Sequence, residues 1–106
     1  MQQSDNDSIL SSYYGDEEVT AIITLKVETK DADVVCENVS LLEPTEDVFL
    51  VTGDTDIVVK AKFRNYNQLK RFLVGELSAV KGVKDTKTFM VVATFKEKGE
   101  PRSAPE

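Results

Sequence analysis

Residues 46–64 read EDVFLVTGDTDIVVKAKFR, and this stretch decides the fold. Two runs rich in Val, Ile, Leu and Phe flank the cluster Thr52-Gly53-Asp54-Thr55-Asp56. Apolar alternation broken by a Gly-Asp cluster signals a hairpin. Gly53 supplies the positive φ that a tight connection needs, and Asp54 or Asp56 can bond its own backbone. In the second run Ile57, Val59, Ala61 and Phe63 share one face, with Val58, Lys60, Lys62 and Arg64 opposite. The three cations lie away from the turn, so the outer face near the turn stays apolar. They read as solvated or inter-subunit charges.

Toward the N-terminus, Asp31 to Leu42 has Ala32, Val35, Val39 and Leu42 at helical spacing, with Asp31 as the expected N-cap and Pro44 as the stop. Before it, Thr20 to Glu28 alternates Ala21, Ile23, Leu25 and Val27 against Thr20, Ile22, Thr24 and Lys26, as a strand does. Beyond the hairpin, Asn65 opens a second helix, with Gln68 three residues on in a near capping box. Tyr66, Leu69, Phe72, Leu73, Leu77 and Val80 form its stripe, and Gly82 is placed to end it. Gly75 inside it suggests a close approach to an unspecified neighbour. Lys84 to Lys96 is the last expected strand, with Phe89, Val91, Ala93 and Phe95 on one face and Thr86, Thr88, Met90, Val92 and Thr94 on the other.

The order is β-α-β-β-α-β, which is the ferredoxin-like arrangement. The expected fold is α+β, a ferredoxin-like βαββαβ sandwich of the dimeric α+β barrel type. A four-stranded antiparallel sheet carries both helices on one face. The other face is expected to hold Ile22, Thr24, Val58, Met90, Val92 and one of Phe49 or Leu50. A contiguous apolar patch of that kind calls for cover by a second copy. Residues 1–18 read as an acidic flexible tail, 19–96 as the folded domain and 97–106 as a second flexible tail. Within the first tail, Ile9, Leu10, Tyr13 and Tyr14 also fit a short helical hook.

Composition removes several classes. A net charge of −6 over 106 residues argues against a nucleic-acid surface. Histidine is absent, which rules out His-based nucleophilic catalysis and His-ligated metal within this chain. Asp54-Thr55-Asp56 could hold a hard cation, but two carboxylates without a wider acidic loop are a poor site. The single cysteine, Cys36, reads as a small core hydrophobe without a basic neighbour to activate it. No apolar run is long enough to span a membrane, and no secretory signal is visible. A cytoplasmic chain without cofactor or metal is expected.

The segments AIITLKVE, LVTGDTDIVVKAKF, NQLKRFLVGELSAVKGV and KDTKTFMVV together resemble the ligand-binding, or RAM, domain of the Lrp/AsnC family of amino-acid-responsive transcriptional regulators. Val51-Thr52-Gly53-x-x-Asp56, Lys81-Gly82-Val83 and Thr86-Lys87-Thr88 are the most specific pieces. The likeness covers about Thr20 to Lys96. It is a likeness to the stand-alone form, because the family's helix-turn-helix domain has no counterpart here. The first strand-to-helix turn, Thr29-Lys30-Asp31, lacks the glycine usual in the similarly ordered ACT domain.

The resemblance implies a dimer through the sheets, assembly up to an octamer, and an amino-acid or related small-molecule effector. It implies ligand contacts from Thr52, Gly53, Asp54, Asp56, Thr86 and Thr88, with an aspartate meeting the ammonium and Thr hydroxyls or turn N–H groups meeting the carboxylate. A full-length regulator of the family is a further possible partner, with no direct nucleic-acid or membrane contact. Three function classes stand at this point. One is an effector-sensing oligomeric module that tunes a regulator or metabolic partner. The second is a structural or interaction oligomer with a degenerate site. The third, a small enzyme, is disfavoured because no nucleophile or paired carboxylates are evident.

Overall fold

A computed structural model describes residues 18–102. The acidic tail expected over 1–18, with its Ile9–Tyr14 hook, falls almost wholly outside them, as do residues 103–106. The elements are β1 (Val19–Lys26), a 3-10 turn (Thr29–Asp31), α1 (Ala32–Ser40), β2 (Thr45–Leu50), β3 (Ile57–Phe63), α2 (Tyr66–Arg71) continued by a π-helical turn (Phe72–Leu77), β4 (Asp85–Met90), β5 (Lys96–Glu97) and β6 (Glu100–Pro101).

The main sheet runs β2-β3-β1-β4, all antiparallel, with β1 and β3 at its centre. Ala21, Ile23 and Leu25 of β1 and Ile57, Val59, Ala61 and Phe63 of β3 are buried on one face. Val35 and Val39 of α1 and Leu69, Phe72 and Leu77 of the α2 segment close over them. The Phe63 and Phe72 rings tilt at 57° with centroids 5.2 Å apart, a geometry that adds about 1 kcal/mol beyond its burial. This is the expected ferredoxin-like sandwich with both helices on one face. The other face is open.

Asn65 caps α2 as its sequence suggests. Its side chain accepts from the Gln68 N–H at 2.9 Å, while Gln68 Oε1 accepts from the Arg64 N–H at 2.6 Å. Asp31 makes no side-chain cap to α1; the 3-10 turn leads the chain into the helix instead. Among the described residues Gly75 has no neighbour within 4 Å of where a Cβ would sit, so none of them makes the close approach expected there. Gly82 lies beyond the helix end, at φ 101°, where a Cβ would come within 2.8 Å of Val35 Cγ2. The turn before β4 therefore needs glycine both for its dihedral and for its packing on α1.

The last strand differs from expectation in facing and in length. β4 pairs Met90 with Ala21, Thr88 with Ile23 and Thr86 with Leu25, so these three share the helix-covered side. Met90 packs against the core. Phe89 lies opposite Ile22 on the open face and is 54% exposed. The assignment of Met90 to the open face, and of Phe89 to the core, is thus corrected; Val92 lies beyond the end of the strand. Both parities of TKTFMVVATF carry apolar residues, so alternation alone could not choose; pairing with β1 did. Of the pair Phe49 and Leu50, Phe49 faces out, because it sits opposite Val58.

β4 stops at Met90. The segment after Lys96, read from composition as a patternless tail, forms the β5–β6 hairpin. Its turn is Lys98-Gly99, with φ 52° and 80°, the double positive φ of the two-residue turns that match strand twist. The Glu97 carboxylate holds the hairpin to the sheet, 2.7 Å from Lys60 Nζ and 3.4 Å from Lys62 Nζ, and also meets Arg102 at 2.7 Å. No helix among the described residues is long and apolar enough to cross a membrane.

Candidate functional site

The β2–β3 turn does not project freely. It folds onto the end of β1. The Thr55 hydroxyl donates to the Leu25 carbonyl at 2.9 Å, and the Asp56 N–H donates to the same carbonyl at 3.0 Å. Asp56 Oδ2 accepts from the Val27 N–H at 2.9 Å. Lys26 Nζ donates to the Asp54 carbonyl at 2.9 Å. These bonds fix the turn as a wall at the end of the sheet.

On the other side of β1 stands the start of β4. Asp85 pairs with Lys26, and Lys87 with Thr24. The Lys84 N–H donates to the Lys26 carbonyl at 2.8 Å. The Lys84 ammonium meets Glu28 at 2.9 Å, which holds the Glu28 carboxyl below its ordinary value and the Lys84 ammonium above. Both groups are exposed, so the pair adds little stability.

Between the two walls lies a cleft of about 260 Å³ lined by Thr24, Lys26, Asp54, Thr55, Asp85, Thr86, Lys87 and Phe89. Its formal charges balance, two lysines against two aspartates. Lys26 is engaged with the Asp54 backbone, and Asp85 Oδ1 accepts from the Thr86 N–H at 3.0 Å. The Asp54 carboxylate and the Lys87 ammonium have no ion pair or hydrogen bond among the described residues. An uncommitted anion and an uncommitted cation at one cleft, with an aromatic face alongside, have the chemistry to receive a zwitterion with an apolar part.

Of the six residues named from the resemblance, the cleft gathers Asp54 and Thr86. Gly53 sits in the turn at φ 127°, exposed, with no described residue beyond its chain neighbours within 4 Å of where a Cβ would sit. Thr52 and Asp56 line a different depression on the α1 side, with Thr29, Ala32 and Leu50. Thr88 lines an apolar groove between β4 and α2, with Tyr66, Leu73 and Met90. Thr88 points toward the helices while the cleft opens on the other side; Thr86 has the same facing but stands at the exposed start of β4, where it borders the cleft. Asp56 is committed to the Val27 N–H and acts as a brace. Thr24, Lys26, Asp85, Lys87 and Phe89 were not foreseen. The signal for them is the open-face parity of β1 combined with the β4 register, and only the first was readable.

Elsewhere, partial burial pushes the Cys36 thiol up, and Asp33 and Glu37 add to the effect. A thiol held in that form is a poor nucleophile. No group of His, Cys, Asp or Glu among the described residues has the arrangement of a metal site.

Residues 20–101 match the family described as the Lrp/AsnC ligand binding domain. A curated relative, the uncharacterized HTH-type transcriptional regulator PH1692 of Pyrococcus horikoshii, is 38% identical over 80 residues, covering 76% of this chain and 53% of that protein. The chain thus spans about half the length of the curated relatives it matches. Among solved structures, Escherichia coli AsnC superposes with a TM-score of 0.71 at 16% identity, over 92% of this chain and 62% of that one. The transcriptional regulator NMB0573 of Neisseria meningitidis, solved as its L-Met complex, superposes with a TM-score of 0.70 at 22% identity, over 96% and 64%. These two likenesses establish the fold.

Proposed function

The chain belongs to the Lrp/AsnC ligand-binding domain family, and from that premise we propose that it is an effector-binding and self-associating module that takes a free amino acid in the β1–β4 cleft. The observation that carries this reading is the pair of uncommitted charges, Asp54 and Lys87, at one cleft beside Phe89. Asp54 receives the ligand's ammonium. Lys87 receives its carboxylate, a role that the resemblance had given to threonines and turn N–H groups. Thr24 supplies a neutral hydrogen bond. The L-Met complex of the NMB0573 regulator supports an amino acid as the ligand class.

Self-association uses the open sheet face, where Phe49 and Phe89 are 55% and 54% exposed beside Val58 and Ile22. Dimers formed this way are the unit for larger rings, up to an octamer. Ligand binding then shifts assembly through differential affinity for its states. The output is a change in a transcriptional regulator or metabolic partner in the cytoplasm, with no covalent step and no DNA contact by the module itself. A net charge of −6 supports that last point.

The test is light-scattering mass and thermal midpoint measured with each of the twenty L-amino acids, on the native chain and on Asp54→Ala. A shift with one or a few amino acids that the variant loses is the expected result. Indifference to all twenty would sink the sensor reading and leave a structural oligomer.

A further inference from the structure

A groove of about 220 Å³ runs between α2 and β4, on the helix-covered side of the sheet and away from the effector cleft. Leu69, Leu73 and Met90 form its floor, where they pack on the core. Tyr66 stands at one end and Val74, 71% exposed, at the other. The one charged group that lines it is the Lys70 ammonium. β4 is the outer strand of the sheet, so one wall of the groove is a free strand edge. An apolar strip beside a free edge calls for cover.

The chain enters the sheet at one end of this groove. Val19, the first residue of β1, pairs with Phe63, three residues before Tyr66, and Ala21 pairs with Met90. The segment before Val19 therefore leaves the sheet at the Tyr66–Met90 end. Residues 1–17 carry four carboxylates, Asp5, Asp7, Asp16 and Glu17, and no lysine or arginine. Between the two acidic pairs lie Ile9, Leu10, Tyr13 and Tyr14, at spacings that share one side of a helix.

We propose that this N-terminal segment is the occupant of the groove of its own chain. Tyr13 and Tyr14 seat at the Tyr66–Met90 end, Ile9 and Leu10 run toward Leu73 and Val74, and the carboxylates at the end of the stripe flank Lys70. The segment thereby covers the free edge of β4 and keeps it from pairing with another chain.

Three observations select this occupant over a foreign one. The lengths agree: Gly15 to Glu18 can bridge up to about 13 Å back from the strand. A helix over 6–14 and the stretch of α2 from Tyr66 to Val74 are each about 12 Å long. The signs agree, since an acidic segment meets a groove whose charged group is a cation. The tether also holds the segment at an effective concentration on the order of millimolar, so a few apolar contacts are enough to seat it.

The test is cross-linking of the full chain in a Cys36→Ser background, which removes its one cysteine. Asn6 continues the apolar stripe one turn earlier. Asn6→Cys is combined with Val74→Cys at the groove or, separately, with Val34→Cys on α1, a position 57% exposed and outside the groove. A short bismaleimide is then added at several protein concentrations. An unseated segment has the reach for either site, up to about 43 Å of extended chain. The expected result is closure within one chain, independent of protein concentration, with the 6–74 yield at least about tenfold above the 6–34 yield. Adding Lys70→Glu should lower the 6–74 yield at least about threefold. Equal yields at 74 and 34, or no 6–74 product, would overturn the proposal. A 6–74 product formed between chains and rising with concentration would overturn it in favour of another copy's segment. A 6–74 yield unchanged by Lys70→Glu would overturn the charge pairing that orients the segment.

Discussion

The Asp56 carboxylate accepts a hydrogen bond from the Val27 backbone N–H at 2.9 Å, tying the β2–β3 turn to the chain just past β1. Asp54, two residues earlier, makes no such tie. The two aspartates of one turn are thus differently placed, one bracing the turn and one at the edge of the cleft. Asp56→Ala leaves a half-buried N–H without its acceptor and is expected to destabilise the fold by about 1 to 3 kcal/mol in urea denaturation. Asp54→Ala is expected to change stability by less than about 0.5 kcal/mol, as exposed positions do, while abolishing any amino-acid-dependent shift in midpoint.

Acid should release the β5–β6 hairpin. Hydrogen bonds from Lys60 and Lys62 pull the Glu97 carboxyl from its ordinary 4.5 down to about 2, and the Lys60 ammonium is raised in turn. A carboxyl lowered on folding contributes stability that is fully present above 4.5 and is lost as the pH falls through about 2. The native chain should therefore melt above Glu97→Gln at pH 7. The gap should close as the pH is lowered through that window. A gap independent of pH would show that the ion pairs do not hold the hairpin. Comparing the two chains cancels the similar but exposed contribution of Glu28.

Two glycines should respond oppositely to alanine. Gly82→Ala must place a Cβ at positive φ and against Val35, with an expected loss of roughly 1 to 3 kcal/mol. Gly75→Ala meets open space in a helical turn and should gain up to about 1 kcal/mol by restricting the unfolded chain. Chemical denaturation of both variants checks the pair. A loss at Gly75 would indicate that the glycine approaches a neighbour other than the described residues.

The facing of β4 is testable at adjacent residues. Met90→Ser removes a side chain packed on the core and should lower stability by about 1 to 2 kcal/mol. Phe89→Ser, on the open face, should leave the fold intact and weaken self-association by at least about tenfold, as loss of an aromatic anchor does. Sedimentation equilibrium reads the second effect and thermal melting the first. The reverse outcome would restore the opposite facing.

The stretch around Gly53 was enough to give the hairpin, because its alternation has a single apolar parity. The same holds for β1 and for the stripe of α2, and Asn65 with Gln68 marks that helix start with residues whose role is local. From these pieces the element order and the two-layer sandwich follow, since each strand has one face that must be buried and each helix one stripe. The motif residues around Gly53 and Gly82 carried the family.

The sequence did not determine what depends on placing distant residues side by side. In β4 both parities are apolar, and only hydrogen bonding to β1 set Phe89 outward and Met90 inward. The β5–β6 hairpin has no apolar alternation; a positive-φ turn and the charge pairing of Glu97 with Lys60, across 37 residues of chain, hold it in place. Asp54 and Asp56 read alike as turn acids, and the tertiary fold separated them by offering the Val27 N–H to one and an open cleft to the other. Periodicity reports which side of an element is apolar, so it fixes layers. Which polar groups meet is set by strand register and by chain crossings, and those are decided only when the sheet has assembled.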